Sequence, residues 1–566
     1  VSRPIRLEPL ALAVLAVLAV LACALAAESA GGARPPAASA ALTILHTSDL
    51  HGHVHPRDSL ADRDFGDGLA RVASAVGSIR SEGRPVLLLD SGDTIQGTPE
   101  QALAFETSAE ASDPIIAVMN RIGYDAMAVG NHEFDFGRDR LGRSRAEARF
   151  PFLSANITDE KTSEPAFAPY KVAVVGGVRV GILGLTTPRV PSWESPERIS
   201  HLRFTDSVEA AARYVPILRG REHCDVVVVL VHEGFERDLE SGEDRGTGGE
   251  NQASAIAERV PGIDLLLTGH THSIIDPRRL GAVWISQPGR FGNTLTRFDL
   301  TLSRGAKGWS VSDVKGTNLP MKGIVPDPEI VRLAGPSHDR AMDRLSETVA
   351  RLATPLEARE ARVRDTAILD WLHEVQLREG KAQLSIASLL PGTLPAWEPG
   401  PLTLRQIWSF YPYENTLVTV RASGAQVREA LERAARCFSG IEETPSGPAW
   451  RRNAAVWGYN CDTLDGAEYA LDPTRPEGRR LLYLRREGRP IGDAETFLVA
   501  LNSYRAAGGG GYEVWRDCAR VEETRASVRD LLVKDARSRG TLSPKTDWNW
   551  LLAPGLPEGP FRIPSN

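Results

Sequence analysis

Five short blocks in the first half of this 566-residue chain each close an apolar run with residues of metal-ligand type. They are Asp49-Leu50-His51, Gly92-Asp93, Gly130-Asn131-His132-Glu133, Val231-His232 and Gly269-His270-Thr271-His272. Runs of strand-forming residues at 42–45, 85–89, 225–231 and 263–268 lead into four of them. Such an arrangement carries polar side chains into the loop beyond a strand's carboxyl end, where open α/β sheets hold their ligands. Carboxylate, amide oxygen and imidazole together suit divalent ions such as Mn²⁺, Zn²⁺ or Mg²⁺. Seven candidates, Asp49, His51, Asp93, Asn131, His232, His270 and His272, are too many for one tetrahedral ion. They suit two ions that share a bridging carboxylate, so a two-metal hydrolase is the leading expectation.

The stretches 46–52, 92–99, 130–137 and 268–272 resemble the calcineurin-like metallophosphoesterases. More narrowly they are similar to the secreted 5′-nucleotidase / 2′,3′-cyclic-nucleotide 2′-phosphodiesterase family. The resemblance extends over nearly all of the chain beyond its first 40 residues. It implies an α/β protein with an N-terminal metallophosphoesterase β-sandwich flanked by helices, a connecting helix and a second α/β nucleotide-binding domain. It also implies a ligand division: Asp49, His51 and His272 on one metal, Asn131, His232 and His270 on the other, and Asp93 between them. Two cations so held can clamp a phosphoryl group and lower the pKa of water to near neutrality. A single histidine would more simply be a polar loop residue, but seven residues of ligand type in five strand-end blocks are not explained that way. At His272 some 5′-nucleotidases of the family carry Gln, and either residue can ligate.

The resemblance further makes His132 and Asp135 a catalytic dyad. Imidazole would donate to the phosphate and the leaving oxygen while the carboxylate fixes its tautomer. The competing reading is that Asp135 caps a helix. His46, His53 and His55 match no ligand position and are expected near the ligands or at the surface. Glu133 and Glu233 are left without an assigned role.

The chain is long enough for two or three domains. Its 66 basic and 73 acidic residues give a net charge of −7 without a long run of either sign. A polymer-binding protein would more often show a basic face, so single nucleotides are the expected ligands and no nucleic-acid polymer is a partner. Arg3 and Arg6 followed by the Ala/Leu/Val run at 10–27 form a secretory signal pattern, with a small-x-small site at Ala24-Leu25-Ala26. Val20-Leu21-Ala22-Cys23 admits a lipoprotein alternative, against which the apolar run continues past Cys23. The expectation is a secreted or periplasmic monomer with no membrane span after cleavage. Export permits a disulfide among Cys437, Cys461 and Cys518, whose pairing the sequence leaves open, while Cys224 reads as a packed small hydrophobe.

Breaks in the pattern, with the roles that the resemblance implies, divide the chain into a leader and tether at 1–40, a catalytic domain at 41–325, a connecting helix at 326–354 and a substrate-binding domain at 355–566. Within the first, helices are expected near 69–79 and 113–122, and a Gly-Gly hairpin at 170–180. Polar helical periodicity at 329–352 marks the connector. The residues from 554 onward are Pro/Gly-rich and are expected to form a surface tail.

In the second half, 411–415 and 502–512 resemble the family's base-stacking segments. Tyr413 and Tyr504 match the two sandwich positions, Asn415 a polar contact to base or ribose, and Gly508 and Gly509 a close backbone approach to the ligand. The plainer reading is two core tyrosines. Strict 5′-nucleotidases carry a glycine-rich segment ending in Arg after the strand at 382–387, but Ser388-Leu389-Leu390-Pro391-Gly392 lacks the arginine. Their ribose-binding Asp aligns with Gly510. The stretches 459–466 and 502–506 look instead like the 2′,3′-cyclic phosphodiesterase/3′-nucleotidase branch. The expected function is therefore hydrolysis of 2′,3′-cyclic nucleotides and 3′-nucleotides, with 5′-nucleotidase as the alternative. A noncatalytic nucleotide-binding surface protein is the alternative of another class, disfavoured by the intact ligand set and dyad.

Overall fold

The computed structural model describes residues 39–104, 112–305, 308–444 and 447–554. The expected leader and most of the Pro/Gly-rich tail lie outside them. The first half is built on two six-stranded sheets. One runs, in spatial order, Gly308–Pro320, Thr294–Gly305, Ser39–Thr47, Val86–Asp90, Ala126–Ala128 and Phe152–Leu153. The other runs Ile274–Leu280, Val283–Pro288, Leu265–Thr268, Val226–His232, Val178–Thr186 and Tyr170–Val175. Ser39–Thr47 through Phe152–Leu153 pair in parallel, as do Val283–Pro288 through Val178–Thr186. The hairpin Thr294–Gly305/Gly308–Pro320 closes one edge of the first sheet, and antiparallel strands Ile274–Leu280 and Tyr170–Val175 close both edges of the second.

Period-two alternation decides how these sheets pack. Leu42, Ile44, Leu87 and Leu89 meet Val180, Ile182, Val228 and Leu230 in one core between the sheets. The intervening residues Leu45 and Leu88 turn outward, into a second core with the helices Leu69–Ser81 and Pro114–Ile122. Val227, Val229 and Val231 turn outward on the other side, toward Ser207–Pro216 and Ala253–Arg259. The result is a helix-flanked sandwich. Because the inner strands of each sheet run parallel, the carboxyl ends of Ser39–Thr47, Val86–Asp90 and Ala126–Ala128 open on one edge, and those of Val226–His232 and Leu265–Thr268 face them.

Helix Pro328–Ser346 links the halves: Ile330 and Ala334 enter the first half's core and Leu345 enters the second's. It is shorter than the periodicity at 329–352 suggested. Glu347 leaves helical geometry, and Thr348–Leu352 pairs as a strand with Gly400–Thr403. The β-branched pair Thr348-Val349 favours that extended backbone. The second half centres on a five-stranded sheet ordered Thr463–Asp465, Leu384–Ala387, Thr496–Asn502, Thr416–Ser423 and Ala519–Ser527. Helices Ala367–Glu379, Gly424–Ala434 and Val528–Arg539 cover it. Cys437 pairs with Cys461, and Cys224 and Cys518 are free and buried.

Candidate metal centre and facing aromatic loops

The five strand-end blocks converge. Asp49, His51 and His272 place ligand atoms within 4.8 Å of one another, and Asp93, His232 and His270 form a second such group. Asp93 Oδ2 is 3.0 Å from His232 Nε2 and 3.8 Å from His51 Nε2, so one carboxylate borders both groups. His51 Nε2 and His272 Nε2 face each other at 3.1 Å, and His272 Nε2 is 3.5 Å from Asp49 Oδ1. Asp49, His51, Asp93, His270 and His272 all have φ between 47° and 71°. Left-handed backbone at non-glycine residues costs about 1–3 kcal/mol each and persists where surrounding structure imposes it. Here the sharp turn aims each side chain across the sheet edge.

Neighbouring groups orient the imidazoles. His51 Nδ1 is 3.0 Å from the Gln96 carbonyl and His232 Nδ1 is 2.7 Å from the Ser91 carbonyl. A carbonyl only accepts, so each Nδ1 carries a proton and each Nε2 is the nitrogen turned to the cluster, free to present a lone pair to a cation when the ring is neutral. His270 Nε2 is 2.8 Å from Glu250 Oε1, which leaves Nδ1 for the cluster. Glu133 accepts backbone amides from Gly130, Asp93, Thr94 and Ile95 and so fastens two ligand loops together. The Asn131 side-chain oxygen is buried with no hydrogen-bond partner. Leaving such an atom unmade costs about 1–3 kcal/mol, and a cation among these donors would satisfy it. Imidazole, carboxylate and amide donors in two adjoining groups fit a pair of divalent ions.

His132 lies beside this centre. Its backbone amide donates to Asp93 Oδ1 at 2.8 Å, and its Nδ1 is 2.9 Å from Asp135 Oδ2. Asp135 does not cap the following helix Arg138–Glu147, whose N-cap is Gly137. Burial opposes a charge on His132, but the Asp135 and Asp93 carboxylates outweigh it, and the pKa is pushed up to about 10. The same pairing holds Asp135 below the usual carboxylate range. A protonated imidazole beside these ligand-type groups can donate to a leaving oxygen.

Sequence reasoning missed several neighbours. Trp193 lies against His270, with ring centroids 5.3 Å apart. Glu194 contacts Asp135, and Arg198 pairs with Glu194. They sit in a Pro/Ser-rich loop with no periodicity to flag them. Arg290 and Phe291 also follow a strand, Val283–Pro288, and so carry the positional signal of the five blocks without being ligand types. Arg290 Nη1 lies 3.1 Å from His272 Nδ1, and Phe291 stacks on His53 at 4.0 Å. His46 is buried against Ser91, and His55 stacks on His338 at 3.8 Å.

The second half meets the first at the Tyr413 loop, where Arg198 donates to the Glu414 carbonyl at 3.2 Å. Tyr504 and Tyr459 are in electrostatic reach of each other, of Tyr413 and of Glu250, the partner of His270. Tyr413 is in reach of Arg290, the partner of His272. Buried Arg505 ties the loops together, donating to the Tyr459 and Gly509 carbonyls and to Asp462. Gly508 adopts φ 93°, which favours glycine. At Gly509 the space a Cβ would need is taken by the Tyr504 ring, 2.5 Å away. The close approach that glycine permits here is to that ring. Asn415 accepts the Val528 amide at its backbone carbonyl, and its side chain lies near the buried Tyr411 hydroxyl.

Residues 42–273 match the family model for calcineurin-like phosphoesterases, and 346–517 match that for the 5′-nucleotidase C-terminal domain. The chain belongs to the calcineurin-like phosphoesterases that carry a 5′-nucleotidase C-terminal domain. It is a metal-dependent phosphoric ester hydrolase. This phosphoesterase is 29% identical to a 2′,3′-cyclic-nucleotide 2′-phosphodiesterase/3′-nucleotidase of Salmonella typhimurium, over 92% of the chain and 90% of that protein. It is 28% identical to the trifunctional nucleotide phosphoesterase protein YfkN of Bacillus subtilis over 91% of the chain, but spans only 39% of that longer protein. A Staphylococcus aureus protein solved with α-ketoglutarate superposes with a TM-score of 0.81 at 26% identity, covering 91% of this phosphoesterase and 100% of that chain. Among the described residues no helix is long and apolar enough to cross a membrane.

Proposed function

We propose that this phosphoesterase hydrolyses 2′,3′-cyclic nucleotides and 3′-nucleotides to nucleosides and phosphate. The observation that carries the reading is the meeting of the two halves: Arg198 of the catalytic half donates to the Glu414 carbonyl beside Tyr413 at 3.2 Å. The fields of Glu250 and Arg290, which contact His270 and His272, reach tyrosines 459 and 504 and tyrosine 413 respectively. A phosphoester seated at the metal centre would project a base toward aromatic faces. Support for the branch comes from the Salmonella relative's name, and the missing arginine after Leu384–Ala387 argues against strict 5′-nucleotide use.

In this reading Asp49, His51 and His272 hold one divalent ion, Asn131, His232 and His270 the other, and Asp93 borders both. Such ions supply Lewis-acid activation of water and of the phosphoryl oxygens. His132 binds the phosphoryl group and protonates the leaving oxygen, and Asp135 keeps its Nδ1 proton in place. Tyr413 and Tyr504 clasp the base, with Asn415, Gly508 and Gly509 shaping the loops around it. Catalysis is assigned to 41–325, connection to 326–354 and base binding to 355–566. A compartment outside the cytosol belongs to the proposal, supported by the Cys437–Cys461 disulfide. The test is a side-by-side rate comparison on 2′,3′-cyclic AMP, 3′-AMP and 5′-AMP with Mn²⁺ supplied. A clear preference for 5′-AMP would replace this reading with the 5′-nucleotidase one.

A further inference from the structure

Arg198 stands between the two halves of the site. Its Nη1 is 3.4 Å from Glu194 Oε2, and its Nη2 donates to the Glu414 carbonyl at 3.2 Å. Glu194 is buried with its carboxyl adjoining that of Asp135, whose Oδ2 lies 2.9 Å from His132 Nδ1. Glu414 follows Tyr413 directly. Its carboxylate is held by Arg529, which also donates to the Pro412 carbonyl and lies over the Trp408 ring at 3.4 Å. The loop bearing Tyr413 is thus pinned by Arg529 from its own half and by Arg198 from the catalytic half.

We propose that Arg198 is a positioning residue that couples the base-holding loop to the His132–Asp135 pair through Glu194. The inference rests on the reading above, in which His132 is the proton donor and Tyr413 holds the base.

Two carboxyl groups in contact do not both ionise readily. Burial and the Asp135 charge push Glu194 well above its ordinary range, which favours a proton shared between the two adjoining carboxyls. Where Glu194 sits therefore decides how the Asp135 carboxylate is turned, and that decides how the His132 ring is aimed. A guanidinium suits the link because its planar fork offers donors in fixed directions, one for Glu194 and one for the Glu414 carbonyl. An ammonium on the same stem can serve one of these partners but does not span both. Misplacing a reacting group by about 1 Å can cost about a hundredfold in rate.

The experiment uses full-length protein loaded with Mn²⁺ and measures kcat and KM on 2′,3′-cyclic AMP and on bis(p-nitrophenyl) phosphate, which has no base. Arg198→Ala is expected to lower kcat about ten- to a hundredfold on both substrates and to raise KM for the nucleotide alone. Arg198→Lys, which keeps the charge beside Glu194, is expected to hold kcat within about threefold of wild type while still raising the nucleotide KM. In a Glu194→Ala background, Arg198→Ala should cost no further kcat and should still raise that KM. A purely structural role for Arg198 would give losses that Lys does not rescue and that Glu194→Ala does not absorb. The inference is overturned if the kcat losses of Arg198→Ala and Glu194→Ala multiply, or if Arg198→Ala moves only one of kcat and nucleotide KM. A wild-type enzyme that cleaves the aryl diester but no nucleotide overturns the proposed substrate class and this inference with it, and the wild-type rates alone reveal that case.

Discussion

Asp93 Oδ2 stands 3.0 Å from His232 Nε2. The same carboxylate lies 3.8 Å from His51 Nε2 in the other ligand group, and its Oδ1 accepts the amide of His132. Burial would raise the pKa of Asp93, but His232 and His132 outweigh it and hold the group well below its ordinary range. It is an ionised carboxylate at the junction of everything else in the centre.

Asp93→Ala is therefore expected to do more damage than removal of a ligand from either group alone. Chelation of wild type should abolish phosphoesterase activity, and a divalent ion such as Mn²⁺ should restore it. Metals of this kind supply several kcal/mol of transition-state stabilisation, so the loss should reach about a thousandfold or more. Elemental analysis should find less than one metal equivalent in Asp93→Ala but close to one in His272→Ala. Full activity in protein shown to be metal-free would refute the two-metal reading.

His132 is not one of the proposed ligands, and its variant should show it. His132→Ala is expected to lower kcat by about 10²–10⁴-fold, the range for a positioned acid–base group, with metal content near that of wild type. Asp135→Asn should act in the same direction but more mildly, since the ring would keep a partner at Nδ1. Metal loss in His132→Ala would mean that a ligand has been mistaken for a catalyst.

His46 supplies a pH prediction separate from catalysis. It is fully buried beside Ser91, and burial lowers its pKa to about 3. The unfolded chain takes up a proton near pH 6.5 whereas the folded one does not until far lower. Unfolding thus binds protons, so the stability this site allows is full above pH 6.5 and is lost as pH falls toward about 3. The slope is at most about 1.4 kcal/mol per pH unit. Between pH 7.5 and 5, wild type should lose about 2 kcal/mol more than His46→Gln in urea unfolding. Parallel losses in the two proteins would show that His46 takes its proton inside the fold.

How far the sequence could be read follows from the kind of information each residue needs. Asp49, Asp93, Asn131 and the four histidines proposed as ligands each end or follow a strand, so local pattern alone brings them to one edge. The sandwich was legible for the same reason, because alternation in runs such as 42–45 states which side chains face which layer. Glu194 and Arg198 were not legible. Their roles come from contacts with Asp135 and Glu414, which are far away in the chain and lie on different elements. By sequence the glycines beside Tyr504 allow the backbone a close approach to a ligand, but at Gly509 the close approach is to the Tyr504 ring, a packing relation that no spacing encodes. The choice of Cys461 over Cys518 as partner to Cys437 likewise depends on where two distant loops meet.

The aromatic loops offer the sharpest division of labour to test. Tyr413 is about one-third exposed, whereas Tyr411, two residues away, is buried in the core. An exposed aromatic held in place by Arg198 and Arg529 has the features of a stacking platform more than of a packing residue. Tyr504 is fixed from behind by Gly509 and flanked by Arg505, with its guanidinium 5.5 Å from the ring centre. If the two rings clasp a base, Tyr413→Ala and Tyr504→Ala should each cost about 1–3 kcal/mol of binding. That is roughly ten- to a hundredfold in kcat/KM on a nucleotide. Hydrolysis of bis(p-nitrophenyl) phosphate, which needs only the metal centre and His132, should change little in either variant. Tyr411→Ala should instead lower the melting temperature and depress both substrates together, because its role is packing. Equal losses on both substrates in Tyr413→Ala and Tyr504→Ala would place these rings with Tyr411 and remove the base-binding role from the second half, while leaving the metal centre's chemistry intact.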